Sequence, residues 1–124
     1  MLNRKQTKYV NDAISELLDL VGDLLVAESE EQPASFILSH VRMELGYLLD
    51  KIHAFKYYVE NQHMLNRKQT KYVNKLIHEL LDLVSDLYAS LDSEQPAEST
   101  LLYVDNRLRD LLDKIYSLKH YFED

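Results

Sequence analysis

The sequence contains the same helical hairpin pattern twice. Residues 1–61 align with residues 64–124 at a constant offset of 63 and without a gap, and 35 of the 61 aligned positions are identical. The first eleven residues, MLNRKQTKYVN, recur unchanged from Met64 to Asn74. An ungapped repeat indicates that each half is a complete structural unit. We therefore predict a single domain over residues 1–124, with repeat 1 at 1–61, a junction at 62–63 and repeat 2 at 64–124.

Apolar residues in both halves recur at the three- and four-residue steps of an amphipathic α-helix. In the first segment and its copy these are Val10, Ile14, Leu17, Val21 and Leu24, and Val73, Ile77, Leu80, Val84 and Leu87. In the second segment and its copy they are Leu38, Val41, Leu45, Leu48, Ile52, Phe55 and Val59, and Leu101, Val104, Leu108, Leu111, Ile115, Leu118 and Phe122. The pattern predicts helices over 3–28, 33–61, 66–91 and 96–123.

The predicted helices also carry signals at their ends. Asn3 with Gln6, and Asn66 with Gln69, match the capping box, in which two residues three positions apart satisfy free N–H groups at a helix start. Residues 59–66 contain neither glycine nor proline, so a continuous helix through the junction is an alternative, which would produce a hairpin-swapped dimer. The cap signal at Asn66 favours a turn, and with it a monomer formed by pairing of the two hairpins.

The apolar stripe on each hairpin is too wide to be covered by a single partner helix. Two hairpins packed face to face would cover it. This predicts an all-α, four-helix bundle built from two tandem-repeated antiparallel helical hairpins in up-down-up-down order. The layout resembles the Rop-type pairing of two helical hairpins, in arrangement only and without a shared motif, so it implies no function.

Composition narrows the class of protein. The chain has a net charge of −7 and no cysteine, and no uncharged apolar stretch approaches the length of a membrane span or forms a signal peptide. We expect a cytoplasmic protein that does not bind membranes.

We expect no enzymatic activity, no metal and no cofactor. Glu16, Asp19 and Asp23 fall opposite the apolar stripe, where carboxylates face water. The five histidines form no pair at a spacing of three or four residues, and none is matched by a histidine at the equivalent position of the other copy. The two glycines lie within predicted helices rather than in a phosphate-binding loop.

One end of the predicted bundle is basic and aromatic. The starts of the first and third helices would lie beside the ends of the second and fourth. The candidate interaction patch comprises Arg4, Lys5, Lys8, Lys56, Tyr57, Arg67, Lys68, Lys71, Lys119 and His120. The opposite end is acidic, with Glu28, Glu30, Glu31, Asp92, Glu94 and Glu98.

Three functions fit these observations. The first is a regulatory or interaction module that binds another protein, which the nine tyrosines favour because tyrosine is enriched at protein interfaces. The second is a regulator that binds RNA or single-stranded DNA through the basic, aromatic end. The third is an engineered or recombined single-chain bundle without a natural partner. Outward positions differ between the copies, as at Glu44 and Arg107, and we interpret these differences as drift.

Overall fold

The computed structural model of the chain describes residues 2–29 and 31–123. Within these ranges the chain forms four α-helices and no strand: α1 (Arg4–Glu28), α2 (Ala34–Gln62), α3 (Arg67–Leu91) and α4 (Ala97–Glu123). The predicted all-α, four-helix fold is confirmed, and every helix boundary lies within one residue of its prediction. No helix in the described ranges combines the length and apolar composition needed to cross a bilayer.

Both predicted capping boxes are present. The Gln6 backbone N–H donates to the Asn3 side chain at 2.8 Å, and the Asn3 backbone N–H donates to the Gln6 side chain at 3.0 Å. Asn66 and Gln69 repeat this exchange at 2.8 and 2.9 Å. These bonds satisfy N–H groups that have no partner within the helix. The need for this cap gives a physical reason why both residues are unchanged in the repeated segment.

The chain turns between α2 and α3. His63 follows α2 with φ 47° and ψ 34°, the left-handed conformation in which many helices end. It is the only non-glycine residue with positive φ in the part of the chain that the structure describes. The next helix begins at Arg67, so α2 and α3 are separate helices rather than one rod.

The four helices form a ring in chain order. α1 and α3 each pack against both α2 and α4, and α2 also meets α4 across the centre of the bundle. Within the pairs α1–α2 and α3–α4, residues near the start of one helix contact residues near the end of the other, as expected for antiparallel neighbours. Such contacts are Tyr9 with Tyr58 and Glu16 with Lys51 between α1 and α2, and Tyr72 with Tyr121 and Asp86 with Tyr103 between α3 and α4.

The core contains nearly all the apolar residues predicted for it. All ten predicted core residues of α1 and α3 are buried, as are eleven of the fourteen in α2 and α4. The exceptions are Leu38, Leu101 and Phe122, which are half-buried against the core. Ile37 and Thr100, each one residue earlier, are buried at the starts of α2 and α4 instead.

The geometry of a straight helix explains this shift. From Val41, a step of four residues back turns the helix by about 40°, whereas a step of three turns it by about 60° in the other direction. Ile37 therefore lies closer to the core direction than Leu38 does. The buried Thr100 hydroxyl donates at 3.3 Å to the carbonyl of Pro96, the residue before α4, so this polar group has a hydrogen-bond partner.

The repeated MLNRKQTKYVN segment contributes more to packing than the sequence indicated. Beyond Val10, which was predicted for the core, Leu2 and Leu65 pack against the core and Met64 is buried. Capping and packing together account for much of the identity between the two copies. The cations Arg4 and Lys5 have neither role and are unexplained by the fold.

A core substitution tests the packing. Leu80 is fully buried, so Leu80→Ala should lower the free energy of unfolding by about 2–5 kcal/mol through lost burial and the cavity left behind. Leu102 is 67% exposed, and Leu102→Ala should stay within about 0.5 kcal/mol of the wild type. Urea unfolding followed by circular dichroism measures both; equal losses would contradict the placement of the core.

Candidate functional site

The ten residues of the predicted patch lie at one end of the bundle, which we call the basic end. The starts of α1 and α3 and the ends of α2 and α4 meet there. A cleft of about 530 Å³ at this end is lined by none of the ten, but by Leu2, Thr7, Met64, Leu65, Gln69, Tyr121, Phe122 and Glu123. The structure thus places Arg4, Lys5, Lys8, Lys56, Tyr57, Arg67, Lys68, Lys71, Lys119 and His120 at one end of the molecule.

The basic end is positive although the protein as a whole is acidic. Residues 2–12, 56–75 and 119–123 hold nine of the 14 lysines and arginines but only three of the 21 acidic residues. Lys8, Lys56 and Lys119 each pair with a carboxylate four residues further along, at 3.0, 2.9 and 3.6 Å. No carboxylate in the described ranges lies within ion-pairing distance of Arg4, Lys5, Arg67, Lys68 or Lys71.

The aromatic rings of the basic end are largely used within the protein. Tyr9 stacks on Tyr58 with ring centroids 3.6 Å apart, and the equivalent residues Tyr72 and Tyr121 stack at 4.6 Å. Tyr57 is the patch tyrosine and is exposed. This end therefore offers positive charge more than free ring faces.

A second surface, which sequence analysis missed, runs along the outside of α2. Phe36, Met43, Tyr47, Ala54 and Tyr57 are all exposed, and their spacings of seven, four, seven and three residues place them on one side of the helix. The four large side chains expose between 54% and 67% of their area. We call this row the α2 face.

The repeat supplies an internal comparison for the α2 face. At the offset of 63, the same five positions of α4 are Ser99, Asn106, Asp110, Ser117 and His120, all of them polar and exposed. Both helices occupy equivalent places in one bundle, so folding does not require apolar residues at these positions. Exposed apolar side chains of α4, such as Leu102 and Tyr116, lie fourteen residues apart instead of forming a row.

The two hairpins also differ in the grooves between their helices. Tyr47 lines the α1–α2 groove, of about 300 Å³, together with Asp19, Leu20, Asp23 and Lys51. In the α3–α4 groove, of about 550 Å³, the equivalent lining residues include Asp82, Leu83, Asp110 and Lys114. Each groove has one ion pair at the same place, Lys51 with Glu16 at 2.8 Å and Lys114 with Glu79 at 2.5 Å.

The α3–α4 groove contains a further charge network centred on Arg107. Its guanidinium lies 3.2 Å from Asp86 and 3.2 Å from Asp110, and it donates to the Tyr103 hydroxyl at 3.1 Å. The guanidinium carbon also lies 5.2 Å from the centre of the Tyr103 ring, close enough for a cation–π contact. The charge of Arg107 thus partly neutralises the acidic side chains of this groove.

The α1–α2 groove lacks that network. Glu44 stands where α4 has Arg107, and Tyr47 stands where it has Asp110. In the part of the chain that the structure describes, no basic side chain pairs with Asp19, Asp23 or Glu44. The groove beside the α2 face therefore combines exposed apolar area with acidic groups that form no ion pair in the described ranges, since its one lysine, Lys51, pairs with Glu16.

The signal that would have revealed the α2 face was present in the sequence. The exchanges Phe36 to Ser99, Met43 to Asn106 and Tyr47 to Asp110 all run from apolar to polar between the copies. Considered singly they resemble drift. Placed on one helix side, these three exchanges change the same surface in the same direction, although Ser39 to Leu102 on that side runs the other way.

The acidic end contains a carboxyl group with an unusual environment. Glu28, at the end of α1, is half-buried and faces Asp105 and Arg109 of α4, which pair with each other at 3.1 Å. Burial, together with the hydrogen bond and the charge of Asp105, raises the pKa of Glu28 from 4.5 to about 7. Hydrogen bonding to Arg109 lowers the pKa of Asp105. Of the predicted acidic end, Glu30 lies outside the described residues.

The carboxylates and histidines do not assemble a site in the described ranges. Glu16, Asp19 and Asp23 are exposed, and no three histidine, aspartate or glutamate side chains converge as metal ligands would. The chain matches no protein-family model, no curated protein and no solved structure with significant similarity.

The environment of Glu28 predicts that stability depends on pH. Because its pKa is higher in the folded state, the contribution of protonated Glu28 to stability is complete below about pH 4.5 and is lost as the pH rises through about 7. Glu28→Gln cannot ionise, so the stability of this variant should fall less between pH 5 and pH 8 than that of the wild type.

Urea unfolding at several pH values tests this expectation. The difference between wild type and variant is the informative quantity, because contributions from the rest of the chain cancel in it. Parallel pH profiles for the two proteins would show that Glu28 ionises normally in the fold.

Proposed function

We propose that the chain is a non-catalytic, cytoplasmic interaction module that binds another protein, and that the α2 face is its main contact surface. The observation that carries this proposal is the difference between α2 and α4. The sequence repeat makes α2 and α4 equivalent, yet five outward residues are apolar in α2 and polar in α4. Several exposed apolar side chains on one side of a helix mark an interaction site more often than a folding requirement.

The residue types of the α2 face suit protein binding. Tyrosine, phenylalanine and methionine are enriched at protein interfaces and carry much of their binding energy. Burying one such side chain against a partner contributes about 1.5–3 kcal/mol before the costs of association. Phe36, Met43, Tyr47 and Tyr57 together are sufficient to anchor a partner of moderate affinity.

The repeat also provides the variant that tests the proposal. Phe36→Ser, Met43→Asn and Tyr47→Asp replace three residues of the α2 face by those found at the same positions of α4. Because α4 folds with these residues, the triple variant should keep its helicity and change its unfolding free energy by no more than about 1 kcal/mol. It should lose proteins that the wild type captures from a lysate of the source organism after nuclease treatment, as measured by quantitative mass spectrometry.

Leu102→Ser is the matched control. It removes an exposed apolar side chain from α4 and introduces the residue that α2 has at the same position, Ser39. This variant should capture the same proteins as the wild type. If the triple variant captures them equally well, the α2 face is not the binding surface.

The basic end supports a second candidate function, the binding of RNA or single-stranded DNA. Five cations there have no acidic partner among the described residues, and they lie at the positive ends of two helix dipoles. The stacking of Tyr9 on Tyr58 and of Tyr72 on Tyr121 weakens this candidate, because single-stranded nucleic acid needs free rings on which to stack.

Gel mobility of labelled RNA and single-stranded DNA tests this second candidate. Binding should be seen at low salt, fall steeply as salt is added, and disappear when Arg4, Lys5, Arg67 and Lys68 are all changed to glutamate. Unchanged mobility at low salt would exclude it. The triple variant of the α2 face serves as the control, since it leaves the basic end intact.

A further inference from the structure

We infer that the partner docks on the α2 face as a basic amphipathic α-helix. This inference rests on the proposed function and adds the chemistry of the partner. It follows from two properties of the α2 face, its shape and the charge beside it.

The α2 face has the dimensions of one helix side. It extends over residues 36–57 of a single straight helix, and at 1.5 Å per residue this corresponds to about 32 Å, or six helical turns. The α1–α2 groove runs beside it, with Leu20 and Tyr47 in its lining. A long, narrow apolar row next to a groove matches the apolar side of an amphipathic helix, whose contacts recur every three or four residues.

The charges beside the middle of the α2 face are acidic, whereas its last residue, Tyr57, lies in the basic end. Asp19 and Asp23 of α1 line the same groove as Tyr47, and both are exposed. Asp50 is exposed on α2 itself, within the span of the row. No lysine or arginine in the described ranges pairs with any of the three, whereas the nearby Lys51 is already paired with Glu16. A partner helix with lysine or arginine along its margins would supply the missing counter-charges.

The same charges argue against other occupants. A second copy docking through its own α2 face would bring Asp19, Asp23 and Asp50 of both molecules together, and like charges in an interface cost several kcal/mol. A nucleic acid or an anionic membrane surface would be repelled for the same reason. The basic amphipathic helix is the occupant that satisfies both the apolar row and its acidic margin.

Two synthetic peptides of about 22 residues, the length of the α2 face, test the inference. Both carry leucine at three- and four-residue steps on one side; one has lysine along the margins of that side and the other has glutamate. Fluorescence anisotropy with the full-length protein measures their affinities. The lysine peptide should bind at least about tenfold more tightly than the glutamate peptide and weaken as salt is raised.

Two sets of variants separate docking from general attraction to an acidic protein. The pair Met43→Asn and Tyr47→Asp makes the surface more negative but removes its apolar anchors. Docking on the α2 face predicts about tenfold weaker binding of the lysine peptide, whereas attraction by charge alone predicts tighter binding. The variant with Asp19→Lys and Asp23→Lys should bind the glutamate peptide more tightly than the lysine peptide.

Asp82→Lys with Asp113→Lys is the matched control, because it makes the same change of charge in the α3–α4 groove. This control variant should still bind the lysine peptide more tightly than the glutamate peptide. Equal binding of the two peptides to the wild type, or tighter binding to the Met43→Asn and Tyr47→Asp pair, would overturn the basic-helix inference. If cellular proteins were still captured through the α2 face, the proposed function would stand and only the partner chemistry would be wrong.

Discussion

The mutual burial of two wide apolar stripes holds this protein together. Buried residues of all four helices form one core, and each hairpin packs against the other as well as within itself. Residues from all four helices, such as Val21, Leu45, Val84 and Leu108, have no exposed area. The inward residues are therefore constrained by packing in both copies, while the outward residues are not.

Because packing constrains the inward residues, their pattern in the sequence predicts much of the fold. Helix positions followed from the apolar periodicity, and the two helix starts with capping boxes followed from Asn3 and Asn66 with their glutamines. The position of Ile37 in the core did not follow, because a strict alternation of three and four residues assumes a supercoiled helix. The turn at His63 depends on one backbone rotation at a residue type that does not require it.

The candidate sites were predictable to different degrees. The basic end could be predicted because its charges are local in sequence and the up-down order brings the helix ends together. The charge network of Arg107 could not, since it depends on distances between α3 and α4. The α2 face lies between these cases: its residues are periodic, but they become significant only when the equivalent positions of α4 are known to occupy the same structural environment.

The different outward residues of α2 and α4 affect how many copies of the α2 face a molecule presents. Two identical hairpins assembled as a dimer would present every outward feature twice, related by a symmetry axis. Joining the hairpins in one polypeptide lets one half carry Phe36, Met43 and Tyr47 while the other keeps polar residues at those positions. A single chain accordingly has one α2 face, and under the proposed function it would bind one partner through that surface.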